Sequence, residues 1–212
     1  MNPRQMHYES LAGTVIGNLQ KRNMDACYCA TVEEAQKLAF SYLKPDCTVS
    51  FGGSMTLEDT GMLTALRHDP NIRLIDRAAA KTQEATKQLF HDALSADFYF
   101  MSTNAITVNG ELVNIDGNGN RVAALIYGPE HVIIMAGMNK VVTNVEEALS
   151  RVHNTATPMN CKRLGKHTPC ASTGVCSDCL SPDCICNQVV VTRRSGIPGR
   201  IKVILIGEEL GY

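Results

Sequence analysis

The sequence contains no apolar run approaching the ~18 residues a bilayer crossing requires, so no membrane span is expected. It also lacks an excess of positive charge: 20 Lys and Arg against 21 Asp and Glu leave a net charge of −1. A nucleic-acid binder needs a basic surface to release counterions from phosphates, so that class is excluded. The opening residues, Met1 to Ser10, carry no basic region followed by an apolar stretch. Nothing there directs the chain to an oxidising compartment, and a cytoplasmic location with reduced thiols is expected. Disorder is excluded by the 44% hydrophobic content, enough to bury a core in one sizeable domain.

What the chain does have is cysteine. Six of its nine cysteines fall between Cys161 and Cys186, while Cys27, Cys29 and Cys47 lie far upstream and read as reduced structural thiols. In a reducing compartment a local cluster points to metal or redox chemistry more than to disulfides.

The order of elements follows from periodicity. Tyr8, Leu11, Ala12, Val15 and Leu19 recur at helical spacing, and Thr31 with Glu34 forms a capping box ahead of Ala35, Leu38, Ala39 and Tyr42. Thr48 to Phe51 predicts a strand entering Gly52-Gly53, with Thr56 and Asp59 placed to cap the next helix. A strand near Ile72 to Ile75, a helix over about Thr82 to Ala93 and a strand at Phe98 to Met101 continue the alternation, which is that of a parallel sheet covered on both faces. Ala105 to Val108 and Glu111 to Ile115, joined by Asn109-Gly110, predict an antiparallel hairpin with a type I′ turn. Val132 to Ala136 follows as a buried strand, and Asn144 with Glu147 caps a helix. From about 154 to 187 the chain is rich in Thr, Pro, Ser, Asn and Cys without periodicity and is expected to be a long loop inserted between core strands. Val189 to Thr192 and Ile201 to Ile206 are the last strands.

Four features carry chemistry. In the first, Cys176 and Cys179 form a Cys-x-x-Cys step behind Gly174, with Cys170, Cys184 and Cys186 nearby and Cys161 upstream. Two thiolates of such a step converge on one metal, and two more complete the coordination of Zn²⁺ or of an iron–sulfur cluster. Paired zinc knuckles usually stand ~15–20 residues apart, so this arrangement fits a cluster loop better, and the plain alternative is a loop of free thiols. His153 and His167 are substitute ligands or simply surface histidines. In the second, Gly52-Gly53-Ser54-Met55-Thr56 ends a strand ahead of a helix, where backbone N–H groups and two hydroxyls can approach an anion. Without a P-loop lysine or a dinucleotide spacing, neither ATP nor NAD is specified, and a tight turn with a helix cap explains the residues equally well. The third runs from Asn104 to Thr107 and from Asn114 to Arg121: Asp116 can act as a base or orient Arg121, whose fork fits a carboxylate, or the two can satisfy each other. In the fourth, Asn139 and Lys140 close a strand, and Lys140 reads as a solvated cation unless its loop meets Gly52. Strand ends of an open α/β sheet are where ligands bind.

Taken together, Gly52 to Glu58, Asn104 to Thr107, Val113 to Gly117, Gly119 to Ala123, Gly137-x-Asn139-Lys140 and the cysteine stretch through Ser181-Pro182-Asp183-x-Ile185-Cys186-Asn187 resemble the LUD-domain, or lactate-utilisation, family over nearly the whole chain. The resemblance implies one LUD-type domain over residues 1–212 with a fold similar to the NagB/RpiA/CoA-transferase group: an α/β sandwich with a largely parallel sheet, an antiparallel hairpin insert and a cysteine-rich loop. It implies a part in oxidising L-lactate or a related 2-hydroxy acid, as a subunit or accessory working with iron–sulfur partner proteins. Cys170, Cys176, Cys179 and Cys186 are the metal ligands carried over, while Cys184 stands where relatives often have Arg. No acid is fixed by a motif, so Glu58 and Asp116 are the candidate carboxylates. Lys140 joins them as a candidate catalytic residue, with Arg121 beside it to hold the substrate's carboxylate. Gly52, Gly53, Ser54, Thr56, Asn104, Asn120, Arg121 and Asn139 are the candidate binding residues, and a homodimer fits the size and fold group. Two other classes remain: a non-redox isomerase or acyl-CoA-transferase-like enzyme with a structural zinc loop, and a metabolite-sensing binding module.

Overall fold

A computed structural model describes residues 2–212. The first helix, α1 (Pro3–Lys21), starts at a capping box in which Asn2 Oδ1 accepts from Gln5 N and the Gln5 side chain returns the bond, and its buried stripe is Ala12, Val15 and Leu19. β1 (Asp25–Cys29) leads to α2 (Val32–Ser41), where Thr31 Oγ1 accepts from Glu34 N while the Glu34 carboxylate takes Ala30 N. Next come β2 (Thr48–Phe51), α3 (Met55–Asp59), α4 (Met62–His68), β3 (Arg73–Ile75), α5 (Gln83–Ala93) and β4 (Phe98–Met101). The middle of the chain is β5 (Ala105–Thr107), β6 (Leu112–Asp116), α6 (Asn120–Ile126), β7 (His131–Gly137) and β8 (Val141–Val142). The last third holds α7 (Val145–Arg151), α8 (Thr157–Arg163), α9 (Pro169–Thr173), β9 (Gln188–Thr192) and β10 (Ile201–Ile206).

Six strands pair in parallel in the order β1-β10-β7-β4-β2-β3. The period of two along β7 explains how both faces are covered. Val132, Ile134 and Ala136 pack with α1 and with Ile106 and Leu112 of the smaller sheet, whereas Ile133 and Met135 pack on the other side with residues of α2, α3 and α4. The smaller sheet has the order β8-β5-β6-β9, and its second face, Ala105, Val113 and Val142, is closed by Ala148 of α7. This is the expected α/β architecture with its antiparallel hairpin. Among the described residues, no helix is long and apolar enough to cross a membrane.

Three local expectations are corrected. The hairpin turn is not type I′, because only Gly110 has a positive φ, +86°; Gly110 N donates to Thr107 O and Thr107 N to Glu111 O, the pattern of a type I turn followed by a left-handed glycine. A Cβ at Gly110 would lie 2.8 Å from Leu19 N, so glycine also lets the hairpin touch α1. The stretch expected to be a loop from about 154 is helical for its first ten residues: α7 continues through a π-helical turn, Val152–Ala156, into α8. Pro158, near the start of α8, cannot donate to the helix ladder, and the wider turn before it accommodates the missing bond, while Val152, Ala156 and Cys161 remain buried. Within that stretch only 164–168 and 174–187 lack helix and strand. Finally, β9 is an edge strand rather than a core strand, with Val189 54% and Val191 41% exposed.

Candidate functional site

Parallel strands end on one edge, so the segments following β2, β3, β4 and β7 meet there. Gly53 and Ser54 after β2, Arg77 after β3, Ser102, Thr103 and Asn104 after β4, and Lys140 in the 3₁₀ turn after β7 line one cleft of about 380 Å³. Asp116 to Asn118 from the end of β6, Asn120 and Arg121 from α6, Asn160 and Arg163 from α8, and Tyr212 complete the wall.

Arg121 organises this wall. Its guanidinium donates to Ser102 O at 3.3 Å, to Asn104 Oδ1 and Ile115 O at 2.9 Å each, and to Asn114 Oδ1, with Nε 3.7 Å from Asp116 Oδ2. Its donors are therefore engaged by the protein itself, and burial pulls its pKa down while Asp116 opposes the shift. Asp116 Oδ2 also accepts from Val122 N at 3.2 Å. A Cβ at Gly52 would come within 3.1 Å of Arg121 Cδ and of the Tyr99 hydroxyl, which is why glycine stands behind the arginine.

Lys140 is 4% exposed, not the solvated cation its loop position suggests. Its Nζ donates to Ser102 Oγ at 3.3 Å, and no carboxylate among the described residues lies within ion-pair distance. Burial, reinforced by the Arg151 and Arg121 charges and opposed by Asp59, brings its pKa down to about 7. Arg151 is itself half-buried in a structural role, donating to Asn104 O at 2.7 Å and Asn139 O at 3.2 Å.

Gly53, Ser54, Asn104, Asp116, Asn120, Arg121 and Lys140 thus meet in the cleft, while Gly52, Thr56, Glu58 and Asn139 do not line it. Ser54, not Thr56 or Asp59, caps α3 by accepting from Leu57 N at 3.3 Å. Thr56 is fully buried and donates to Leu210 O, Asn139 clamps the C-terminal tail by accepting from Leu210 N at 3.1 Å, and Asp59 accepts from Gly211 N at 2.8 Å. Glu58 is exposed and borders an adjoining recess with Arg67 and Asp76. Sequence reasoning missed Arg77, Ser102, Arg163 and Tyr212. Arg77 was findable by the strand-end rule, since it follows β3 of the same sheet, whereas Arg163 and Tyr212 reach the cleft only through the helical course of 152–163 and the path of the tail.

A second cavity, about 310 Å³, is lined by Cys161, Cys170, Cys176, Cys179, Cys184 and Cys186 together with His153. Cys161 Sγ and Cys170 Sγ are 3.9 Å apart and buried, Cys176 Sγ is 3.5 Å from His153 Nδ1, and Cys186 Sγ is 3.5 Å from Thr157 Oγ1. Burial pushes the Cys186 thiol up to about 11 and raises that of Cys161. The four cysteines singled out as ligands, Cys170, Cys176, Cys179 and Cys186, all face this chamber, although among the described residues no three Cys, His, Asp or Glu side chains close on a common metal point. The donor set is the soft one that suits iron–sulfur clusters or zinc. Thr157 and Ile185 belong to the walls of both cavities, so the chamber backs directly onto the cleft.

A family model described as LUD domain matches residues 13–206. No curated protein matches the chain. Among solved structures, a DUF162 family protein from Deinococcus radiodurans aligns with 94% of this chain and 98% of its own, at 11% identity and a TM-score of 0.52, a likeness of fold. Partial alignments reach eIF2B delta from Chaetomium thermophilum (18% identity, 52% of this chain and 48% of that one, TM-score 0.36) and ribose 5-phosphate isomerase A from Methanocaldococcus jannaschii (16% identity, 55% and 56%, TM-score 0.34).

Proposed function

The chain belongs to the LUD-domain family, and from that premise, which carries a role related to lactate utilisation, we propose that it serves in the oxidation of L-lactate or a related 2-hydroxy acid. It acts as a subunit or accessory that binds the small acid in the cleft and passes electrons to iron–sulfur partner proteins. The observation behind this reading is charge. Five cationic side chains line the cleft, Arg77, Arg121, Lys140, Arg163 and Lys166, against the single carboxylate of Asp116. Arg121 is paired with Asp116, and Lys166 lies 3.6 Å from Asp183. Arg77, Lys140 and Arg163 have no acidic partner among the described residues, which is an arrangement that favours an anionic ligand.

Arg77 and Arg163 are placed to hold the substrate carboxylate, and Arg163 is steadied by Asn160 Oδ1 and the Tyr212 hydroxyl at 2.8 Å each. Asp116, whose Oδ1 makes no hydrogen bond among the described residues, is the carboxylate available to take the hydroxyl proton. Cys170, Cys176, Cys179 and Cys186 would hold an iron–sulfur cluster, which when bound supplies one-electron transfer beside the cleft.

Protein prepared without oxygen tests the reading. A brown absorbance band with stoichiometric iron and sulfide, together with a rise in melting temperature on adding lactate or pyruvate, is the expected result. Colourless, iron-free protein after anaerobic reconstitution overturns the electron-transfer part, and stoichiometric zinc in its place favours a structural loop on a non-redox enzyme.

A further inference from the structure

We propose that Lys140 is a nucleophilic amine that condenses with the carbonyl carbon of a 2-oxo acid bound in the cleft. The inference rests on the preceding reading for the class of ligand, a 2-oxo acid being the product of 2-hydroxy acid oxidation; for the amine itself it rests on position and surroundings.

Lysine is rarely buried without an acidic partner, because its charge loses hydration that nothing returns. Lys140 is 4% exposed, lines the cleft and among the described residues has only the Ser102 hydroxyl, 3.3 Å away, as a side-chain hydrogen-bond partner. The charged groups around it come from three elements: Arg151 of α7 and Arg121 of α6 disfavour the ammonium form, and Asp59 of α3 alone favours it. Both arginines are fixed in place by carbonyl and amide oxygens, so neither can move away when the ammonium forms. Such a lysine is uncharged in a substantial fraction of molecules near neutrality, and a desolvated lysine beside other cations is the environment that activates an amine toward carbonyls.

The amine is also held still. A Cβ at Gly137 would come within 2.5 Å of Asn139 Oδ1 and of Glu208 O, so the turn carrying Lys140 is pressed against the C-terminal tail; Leu210 N donates to Asn139 Oδ1 from that tail at 3.1 Å. A Cβ at Gly211 would lie 3.4 Å from Nζ, which leaves the cleft as the open side. Arg77 and Arg163 stand on the same cleft for the ligand's carboxylate.

The step needs no oxidant. The Nζ lone pair forms a C–N bond to the carbonyl carbon, the carbonyl π pair moves to oxygen, and an amine proton passes to that oxygen through the Ser102 hydroxyl. The resulting carbinolamine loses its hydroxyl and the remaining amine proton as one water, leaving a C=N bond.

Borohydride trapping of the full-length chain with pyruvate or glyoxylate as probe tests this. A single adduct mapped to Lys140 is expected, with yield at least ~10-fold lower in a folded Lys140→Met variant. Its rate should rise between pH 6 and 8 and then level, whereas surface lysines continue to gain toward pH 10. Label spread over surface lysines without preference for Lys140, or an unchanged yield in Lys140→Met, overturns the proposal. If that variant fails to fold, peptide mapping of the wild-type chain decides by the same criterion. Melting shifts with pyruvate and lactate but no adduct would remove the covalent step and leave the binding reading. An adduct on Lys140 that excess lactate does not suppress would keep the amine and remove lactate as a ligand of this cleft.

Discussion

The two cavities share Thr157 and Ile185 as a wall, yet they are built in opposite ways. The cleft stands on the ends of parallel strands and on α6 and α8, and its central side chains are tied by bonds of ordinary N–H···O length. The thiol chamber is closed by 174–187, which has neither helix nor strand and is pinned at few points: Cys176 N to Asn154 Oδ1, His167 N to Asp183 Oδ2, and Asn187 to Asp116 O and Gly117 O. Its thiols face one another at longer range and bond weakly. The difference teaches that the cleft is organised before a ligand arrives, whereas the chamber has little of its own to hold its shape and would gain order from the metal proposed for it.

The largest test of that contrast is Arg121→Leu. Losing a largely buried guanidinium that ties two stretches of chain, 102–104 and 114–116, together should cost about 3–5 kcal/mol in urea denaturation, and a loss below ~1 kcal/mol would mean that the cleft is not held by its polar frame. Next is Lys140→Met followed over pH. Lys140 titrates at about 7 in the folded chain and near its ordinary 10.5 when unfolded, so between those values the unfolded chain holds the extra proton. Wild-type stability should therefore climb with pH by about 1 kcal/mol per unit across that window and be flat below it. The Met variant lacks this slope, exceeds wild type most at pH 6, and loses its advantage as pH approaches 10.5; parallel pH profiles of the two would place the lysine in solvent. Arg163→Ala should then weaken binding of pyruvate about tenfold, read by calorimetry, with melting almost unchanged because the side chain is exposed. The smallest effect belongs to the chamber: Cys179→Ser in metal-free protein should stay within ~0.5 kcal/mol, since the thiol is half-buried and makes no hydrogen bond among the described residues. In reconstituted protein the same change should remove the stabilisation that metal confers, and equal behaviour of the two forms would show that Cys179 is not a ligand.

The alternating elements of the parallel sheet were readable because burial on both faces writes near-continuous apolar strands such as Phe98–Met101 and His131–Gly137. β1 escaped notice: Asp25–Cys29 is a half-buried edge strand whose residues carry no strong alternation. The helix through 152–163 escaped because Asn, Thr and Pro are poor helix formers, and the π turn shifts the apolar spacing from Val152 and Ala156 to Cys161 out of the 3.6-residue period. In the cleft, Asp116, Arg121 and Lys140 could be named from their places at strand and helix ends. Arg121's commitment to the protein rather than to a ligand could not, since it depends on carbonyls of Ser102 and Ile115 that meet only in the folded chain.

The sequence by itself determined the α/β class, the succession along the chain of the strands that build the larger sheet's centre, the strand-end location of the cleft and the gathering of six cysteines within one stretch, because each is written in local periodicity or spacing. Only the tertiary structure decided which cations are left without a partner, that Lys140 is buried rather than solvated, and that the thiol chamber and the cleft share a wall. Those facts are sums over neighbours from distant parts of the chain, and burial and pairing have no local signature.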